Sequence, residues 1–252
     1  MKKGVVLFGS LILALAMCVP AVAQPSTRAV ETFVIDNFDT PDDMEWQWGV
    51  QASRFVTDGY PILKTFEGIP NSLRFFHKDT DPTAQVLGVK VAFDRKGDNW
   101  FEVFPTQGDE RYEYDFFGTV TQIDFWVWGA NYNYNLELLV RDADGRVHSL
   151  YCGTLQFQGW RNIIVNIPGY ISQHSRLRNG RRNMSLVGFR VRSHANEAVD
   201  NYVIYFDQLK YTSNTLSNIY DGYDLRDSDF GDSNGTSSSA SSSNTRADAV
   251  EK

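Results

Sequence analysis

The sequence predicts an all-β chain folded as an antiparallel two-sheet β-sandwich of the jelly-roll kind. Three observations predict it. Apolar and polar residues alternate at period two in run after run, which is the signature of half-buried strands. Phe, Tyr and Trp make up 14% of the chain, and such rings favour strands. Gly, Asn and Asp punctuate the sequence roughly every dozen residues, a spacing suited to short strands. No long stretch carries the apolar spacing of a helix.

The elements follow in order. Lys2 and Lys3 precede an apolar run from Val5 to Val19, and Pro20-Ala21-Val22-Ala23 ends it with small residues. Residues 1–23 therefore read as an export signal cleaved before Gln24. The run is shorter than the roughly 20 residues of a spanning helix, so no stable membrane insertion is expected after cleavage. Lipidation at Cys18 is the alternative, although Met17 is bulky for the residue before a lipidated cysteine. A β-sandwich domain is expected over residues 24–214. Phe33 to Phe38, Leu73 to Phe76, Val86 to Phe93 and Trp100 to Phe104 supply its upstream strands. In Thr121 to Trp128, Ile123, Phe125 and Val127 share one face, and Asp124, Trp126 and Trp128 the other. Leu136, Leu138 and Val140 form an inward set. Asp142-Ala143-Asp144-Gly145 turns that strand into Arg146 to Cys152 as a hairpin. Ile163, Val165 and Ile167 alternate up to Pro168, and Val187, Phe189 and Val191 alternate against Gly188, Arg190 and Arg192. Tyr202 to Tyr211 closes the domain, and a short helix or turn is expected near Tyr170 to His174. Residues 215–252 form an acidic, then Ser-rich tail with too little apolar surface to order itself.

Composition narrows the function. The net charge is −7, and −9 once Lys2 and Lys3 are removed with the signal. The tail, with seven acidic and three basic residues, carries −4 of that. An acidic body argues against nucleic acid as a partner. Cleavage leaves Cys152 as the only cysteine, so no internal disulfide is expected, and its strand context reads as a buried small hydrophobe. His77, His148, His174 and His194 lack ligand spacing. There is no phosphate loop and no His-Glu-x-x-His helix. No catalytic residues are assigned, and the chain is read as not an enzyme.

Three features remain as candidate sites. Trp126 and Trp128 lie opposite the presumed core face, and Tyr132 and Tyr134 follow. These rings could lie under covering loops, meet a protein partner or stack on sugars. Arg176, Arg178, Arg181 and Arg182 cluster in a loop of an otherwise acidic body. They form either a solvated loop or a set of bidentate contacts to carboxylates of another subunit. Asp36 and Asp207 occupy the first and last strands, which often lie side by side in jelly rolls. They are turn residues or ligands of a structural Ca²⁺; no other cofactor is indicated.

Several segments together resemble a known family. They are Phe33-Val34-Ile35-Asp36-Asn37-Phe38-Asp39, Ile123-Asp124-Phe125-Trp126-Val127-Trp128-Gly129, Leu155-Gln156-Phe157-Gln158-Gly159-Trp160-Arg161 and Tyr205-Phe206-Asp207-Gln208-Leu209. Their order, after an export signal, resembles the spirochaete flagellar filament outer-layer (sheath) proteins from Val34 to Tyr211. The resemblance implies a periplasmic, non-catalytic subunit of the periplasmic flagellum. Its partners would be flagellin core subunits and other copies of itself or related sheath proteins. Gly159-Trp160 followed by Ile163, Val165, Ile167 and Pro168 is also similar to carbohydrate-binding-module and galactose-binding jelly rolls. A carbohydrate-binding envelope protein using the aromatic face is therefore the alternative.

Overall fold

The computed structural model describes residues 30–39, 44–68, 70–75, 84–175 and 182–215. The export signal, the lipidation alternative at Cys18 and the tail from residue 216 lie outside the described residues.

Two antiparallel sheets enclose the core. The first contains β1 (Val30–Asp36), β3 (Ile62–Glu67), β4 (Gln85–Val91), β8 (Thr119–Ala130), β11 (Gln158–Asn166) and β15 (Tyr202–Asn214). Its order is β11-β8-β15-β4-β3, with β1 also on β15. The second contains β2 (Gln47–Ala52), β5 (Trp100–Gln107), β6 (Glu110–Arg111), β7 (Tyr114–Asp115), β9 (Tyr134–Arg141), β10 (Val147–Thr154) and β14 (Ser185–Ser193). Its order is β10-β9-β14-β5-β2, with β6 on β5 and β7 on β14. A short pair, β12 (His174–Ser175) and β13 (Arg182–Asn183), stands apart. The all-β two-sheet expectation holds.

Alternation places the core. Ile123, Phe125 and Val127 of β8 are fully buried, as are Leu136, Leu138 and Val140 of β9. Rings link the sheets: Phe125 meets Phe189 edge-on at 4.9 Å, and Phe189 stacks on Phe206 at 4.9 Å. Such pairs add about 0.5–1.5 kcal/mol each beyond burial. The Asp142–Gly145 hairpin forms as expected, with β10 antiparallel to β9. Gly145 takes a φ of 95°, and Asp142 Oδ1 accepts the N–H groups of Asp144 and Arg146.

Two local expectations change, and a third resolves as a turn. Leu73 to Phe76 is not a strand: Asn71–Leu73 is a 3-10 turn that drops Leu73 into a fully buried position, and Phe76 lies outside the described residues. Near Tyr170 the chain makes a turn closed by Ile171 N–H to Pro168 O at 3.0 Å, then enters β12. In β14 a register shift between Leu186 and Gly188 breaks the alternation. Leu186, not Val187, joins Phe189 and Val191 inside. Gly188 has a φ of 144°, and a side chain there would strike the Val103 carbonyl, so the bulge needs glycine.

β15 also bends. Its early half pairs with β4 and its late half with β1. The register shifts between Asp207 and Lys210, where Gln208 has a φ of 51°.

Candidate interaction face

Strand parity sends alternate residues of the first sheet outward, and register aligns them. Trp160 lies opposite Trp128, Trp128 opposite Tyr205, Tyr205 opposite Gly88, and Gly88 opposite Lys64. The result is one transverse row across β11, β8, β15, β4 and β3. Trp128 meets Tyr205 edge-on at 5.5 Å, and Phe66 meets Tyr205 at 5.6 Å. Gly88 makes this possible, since a Cβ there would sit 2.6 Å from the Phe66 ring and 2.8 Å from Tyr205. Phe66 is 46% exposed, and a cleft of about 350 Å³ opens between Phe66, Pro70, Val86, Trp128, Trp160 and Tyr205. Exposed aromatic surface of this kind serves recognition.

The outer face of the second sheet is built differently. Glu102 of β5 accepts hydrogen bonds from Arg190 at 2.6 Å and Arg111 at 3.0 Å. Glu137 of β9 lies within ion-pair distance of Arg190 and Arg192. Arg141 and Glu113 form a bidentate pair, both contacts under 3 Å. These charges satisfy one another, which suits water; the first face carries the Lys210–Asp124 ion pair, 3.3 Å, beside its aromatic row.

The residues singled out from sequence divide three ways. Trp126 and Trp128 lie on the outer face of the first sheet, half-buried, with Trp126 edge-on to Phe75 at 6.1 Å. Tyr132 and Tyr134 do not join them. Tyr134 is fully buried, stacks on Tyr202 at 4.2 Å and donates its hydroxyl to Ala198 O. Tyr132 packs edge-on against both rings and donates to Asp200 O. The chain turns at Asn131, φ 63°, between β8 of one sheet and β9 of the other. Parity counted along β8 does not survive that turn. Arg176, Arg178 and Arg181 lie outside the described residues. Arg182 begins β13, and its side chain lies outside them as well.

Sequence reasoning missed Trp160, Tyr205 and Phe66 as part of this face. Tyr205 was legible, since it alternates with Ile204 and Phe206. Phe66 was not, because Ile62–Glu67 shows no clean alternation.

β1 and β15 do lie side by side. Their junction brings Asp36 and Asp207 into one buried corner with Asp39, close enough for the charges of Asp39 and Asp36 to act on Asp207. Among the described residues no three His, Cys, Asp or Glu side chains form a ready metal cage. Cys152 is half-buried, and burial pushes its thiol up to about 12, which suits packing rather than nucleophilic attack. His148 Nε2 sits 2.7 Å from Asp142 Oδ2. Burial works to raise the Asp142 carboxyl, but hydrogen bonds from His148, Arg146 and Asp144 outweigh it and hold it low. This pair braces the hairpin.

Comparison with known proteins adds the following. A family model described as flagellar filament outer layer protein FlaA matches residues 28–219. A flagellar filament outer layer-like protein of Brachyspira hyodysenteriae is 29% identical over 187 residues, covering 73% of this chain and 79% of that one. The flagellar filament outer layer protein of Treponema pallidum is 33% identical over 115 residues, covering 41% of this chain and 33% of that one. This chain therefore spans about a third of the Treponema protein. Among solved structures, a carbohydrate-binding module of the β-sandwich superfamily aligns at 11% identity and TM-score 0.43, covering 71% of this chain and 61% of that one. The family 11 carbohydrate-binding module of a Clostridium thermocellum cellulase aligns at 12% identity and TM-score 0.36, covering 73% and 95%.

Proposed function

Since this chain belongs to the flagellar filament outer layer protein family, we propose that it is a non-catalytic structural subunit of the outer layer, or sheath, of a periplasmic flagellar filament. In this reading it coats the flagellin core and contributes to the stiffness and curvature of the filament, and so to motility. Its partners are flagellin core subunits and other copies of itself or related sheath proteins. The mature chain works in the periplasm from Gln24 onward.

The observation that carries the reading is the contrast between the two outer faces. The second sheet presents mutually neutralised Arg and Glu side chains to water. The first presents Trp160, Trp128, Tyr205 and Phe66 in register. Trp and Tyr dominate interface hot spots, where truncation costs about 2 kcal/mol or more. Repeated along a filament, such contacts add by multivalency. The arginine loop, Arg176 to Arg182, is a second contact candidate for carboxylates on a neighbour.

Fractionation tests this. Purified, detergent-stripped periplasmic flagella should contain the chain with its N-terminus at Gln24. Trp128→Ala should fold yet fall from the filament fraction into the soluble periplasm. Recovery of the wild-type chain only in soluble fractions would sink the proposal.

The same row favours a second reading. Flat Trp and Tyr rings beside the polar side chains of Lys64 and Glu67 can stack on a sugar. A polysaccharide and peptidoglycan binding screen separates the two. Specific binding lost in Trp128→Ala supports the carbohydrate-binding envelope protein, and a flat screen removes it.

A further inference from the structure

One corner of the sandwich gathers three buried carboxylates. Asp36, Asp39 and Asp207 are 6%, 7% and 0% exposed. Asp36 spends both oxygens on donors, the Phe38 N–H and Trp48 Nε1–H, at 2.7 Å each. Asp39 Oδ1 accepts the Gln85 N–H at 3.0 Å, which ties the corner to β4. Asp207 Oδ1 accepts the Gln208 N–H at 2.7 Å. Its other oxygen, Oδ2, is buried with no partner. Neither Asp36 nor Asp207 forms an ion pair among the described residues.

A buried carboxylate oxygen with neither donor nor cation is among the costliest groups a fold can carry. Two further carboxylates in the same corner raise that cost. Burial, with the charges of Asp39 and Asp36 adding to it, pushes Asp207 up to about 7. Burial also raises Asp36. Main-chain N–H donors relieve this only in part, since they bring partial charge.

We propose that this corner binds a hard divalent cation of the Ca²⁺ class, with Asp207 Oδ2 as a direct ligand and Asp36 and Asp39 as its neutralising neighbours. The donor atoms are carboxylate oxygens, which select hard cations over thiolate- or imidazole-seeking metals. Among the described residues, side chains alone do not complete the shell. Ca²⁺ takes about six to eight oxygens and draws freely on main-chain carbonyls and water. The bound ion cross-links the end of β1 to the bend of β15. Both flanking backbones are held in left-handed conformations there, Phe38 at φ 62° and Gln208 at φ 51°. None of this depends on filament assembly, so its test is independent of the proposed function.

The test uses the full mature chain, stripped with EDTA and held near neutral pH. Calorimetric titration with CaCl₂, and with MgCl₂ in parallel, reads binding; near-ultraviolet circular dichroism on heating reads stability. Ca²⁺ should bind once per chain and raise the unfolding midpoint, because it binds the folded state alone. Asp207→Asn removes a charge while keeping the shape, and should fold but lose the response to Ca²⁺. Asp39→Asn should weaken binding about tenfold or more. Glu110→Gln, on the exposed edge strand β6, should respond as the wild type does. The proposal is overturned by a wild-type chain that shows neither heat nor midpoint shift up to about 10 mM Ca²⁺, about tenfold above the weak end of protein sites. An undiminished response in Asp207→Asn overturns it too. So does a wild-type chain stabilised by lower pH and indifferent to Ca²⁺, since a proton then fills the corner.

Discussion

Tyr134 and Tyr202 make a controlled pair. Their rings stack at 4.2 Å with 23° between planes, and both are fully buried. They differ at the hydroxyl. Tyr134 donates to Ala198 O at 2.9 Å, whereas the Tyr202 hydroxyl is buried without a partner. Burial pushes both phenols above the ordinary tyrosine range, so neither ionises near neutral pH. A buried polar group without a partner costs about 1–3 kcal/mol, and a satisfied hydrogen bond contributes about 1 kcal/mol net. Replacement by Phe keeps the stacked ring in each case. Tyr202→Phe should therefore stabilise the fold by about 1 kcal/mol, and Tyr134→Phe should destabilise it by about the same. Urea unfolding of the mature chain, followed by tryptophan fluorescence, measures both. The midpoints should move in opposite directions at constant slope. In heat, each shift corresponds to about 2–4 °C. A loss of 1 kcal/mol or more in Tyr202→Phe would refute the reasoning, because the hydroxyl would then be making a bond worth keeping.

Gly188→Ala drives a Cβ into the Val103 carbonyl and against Phe104 Cα at 3.0 Å, at a φ of 144°; the expected loss is about 3 kcal/mol or more, read by the same unfolding assay. Asp142→Asn should cost about 1–3 kcal/mol at neutral pH, because it removes the Oδ2 bond to His148 and leaves an uncharged, weaker acceptor for the Arg146 and Asp144 N–H groups. Because the folded carboxyl is held below its ordinary value of 3.8, its contribution is complete above that value. The gap between Asp142→Asn and wild type should therefore narrow as pH falls below about 4, and a gap unchanged at low pH would contradict this.

Much of the sandwich was legible because alternation is strong where one face is core. β8 and β9 read correctly residue by residue, as Ile123, Phe125, Val127 and Leu136, Leu138, Val140 show. β3 was not legible: it is an edge strand, and Ile62–Glu67 mixes polar and apolar residues on both faces. β2, the other edge strand, was missed although it alternates, with Trp48, Val50 and Ala52 packed against the core and Gln47, Gly49 and Gln51 on the other face. The bulge in β14 was hidden for another reason: Gly188 looks like an ordinary outward position until Val103 is seen pressed against it. The aromatic site was half legible, through Trp126 and Trp128. Its other members come from strands distant in sequence.

The sequence by itself determined the all-β class, the hairpin at Asp142–Gly145 and the side of β8 on which Trp126 and Trp128 lie. These depend on alternation and turn chemistry, which are local properties of the backbone. Only the tertiary structure decided that Trp128 stands between Trp160 and Tyr205, that Tyr134 is core, and that Asp36, Asp39 and Asp207 share a corner. Those facts depend on strand order and register, which are set by which apolar faces bury together across the whole chain.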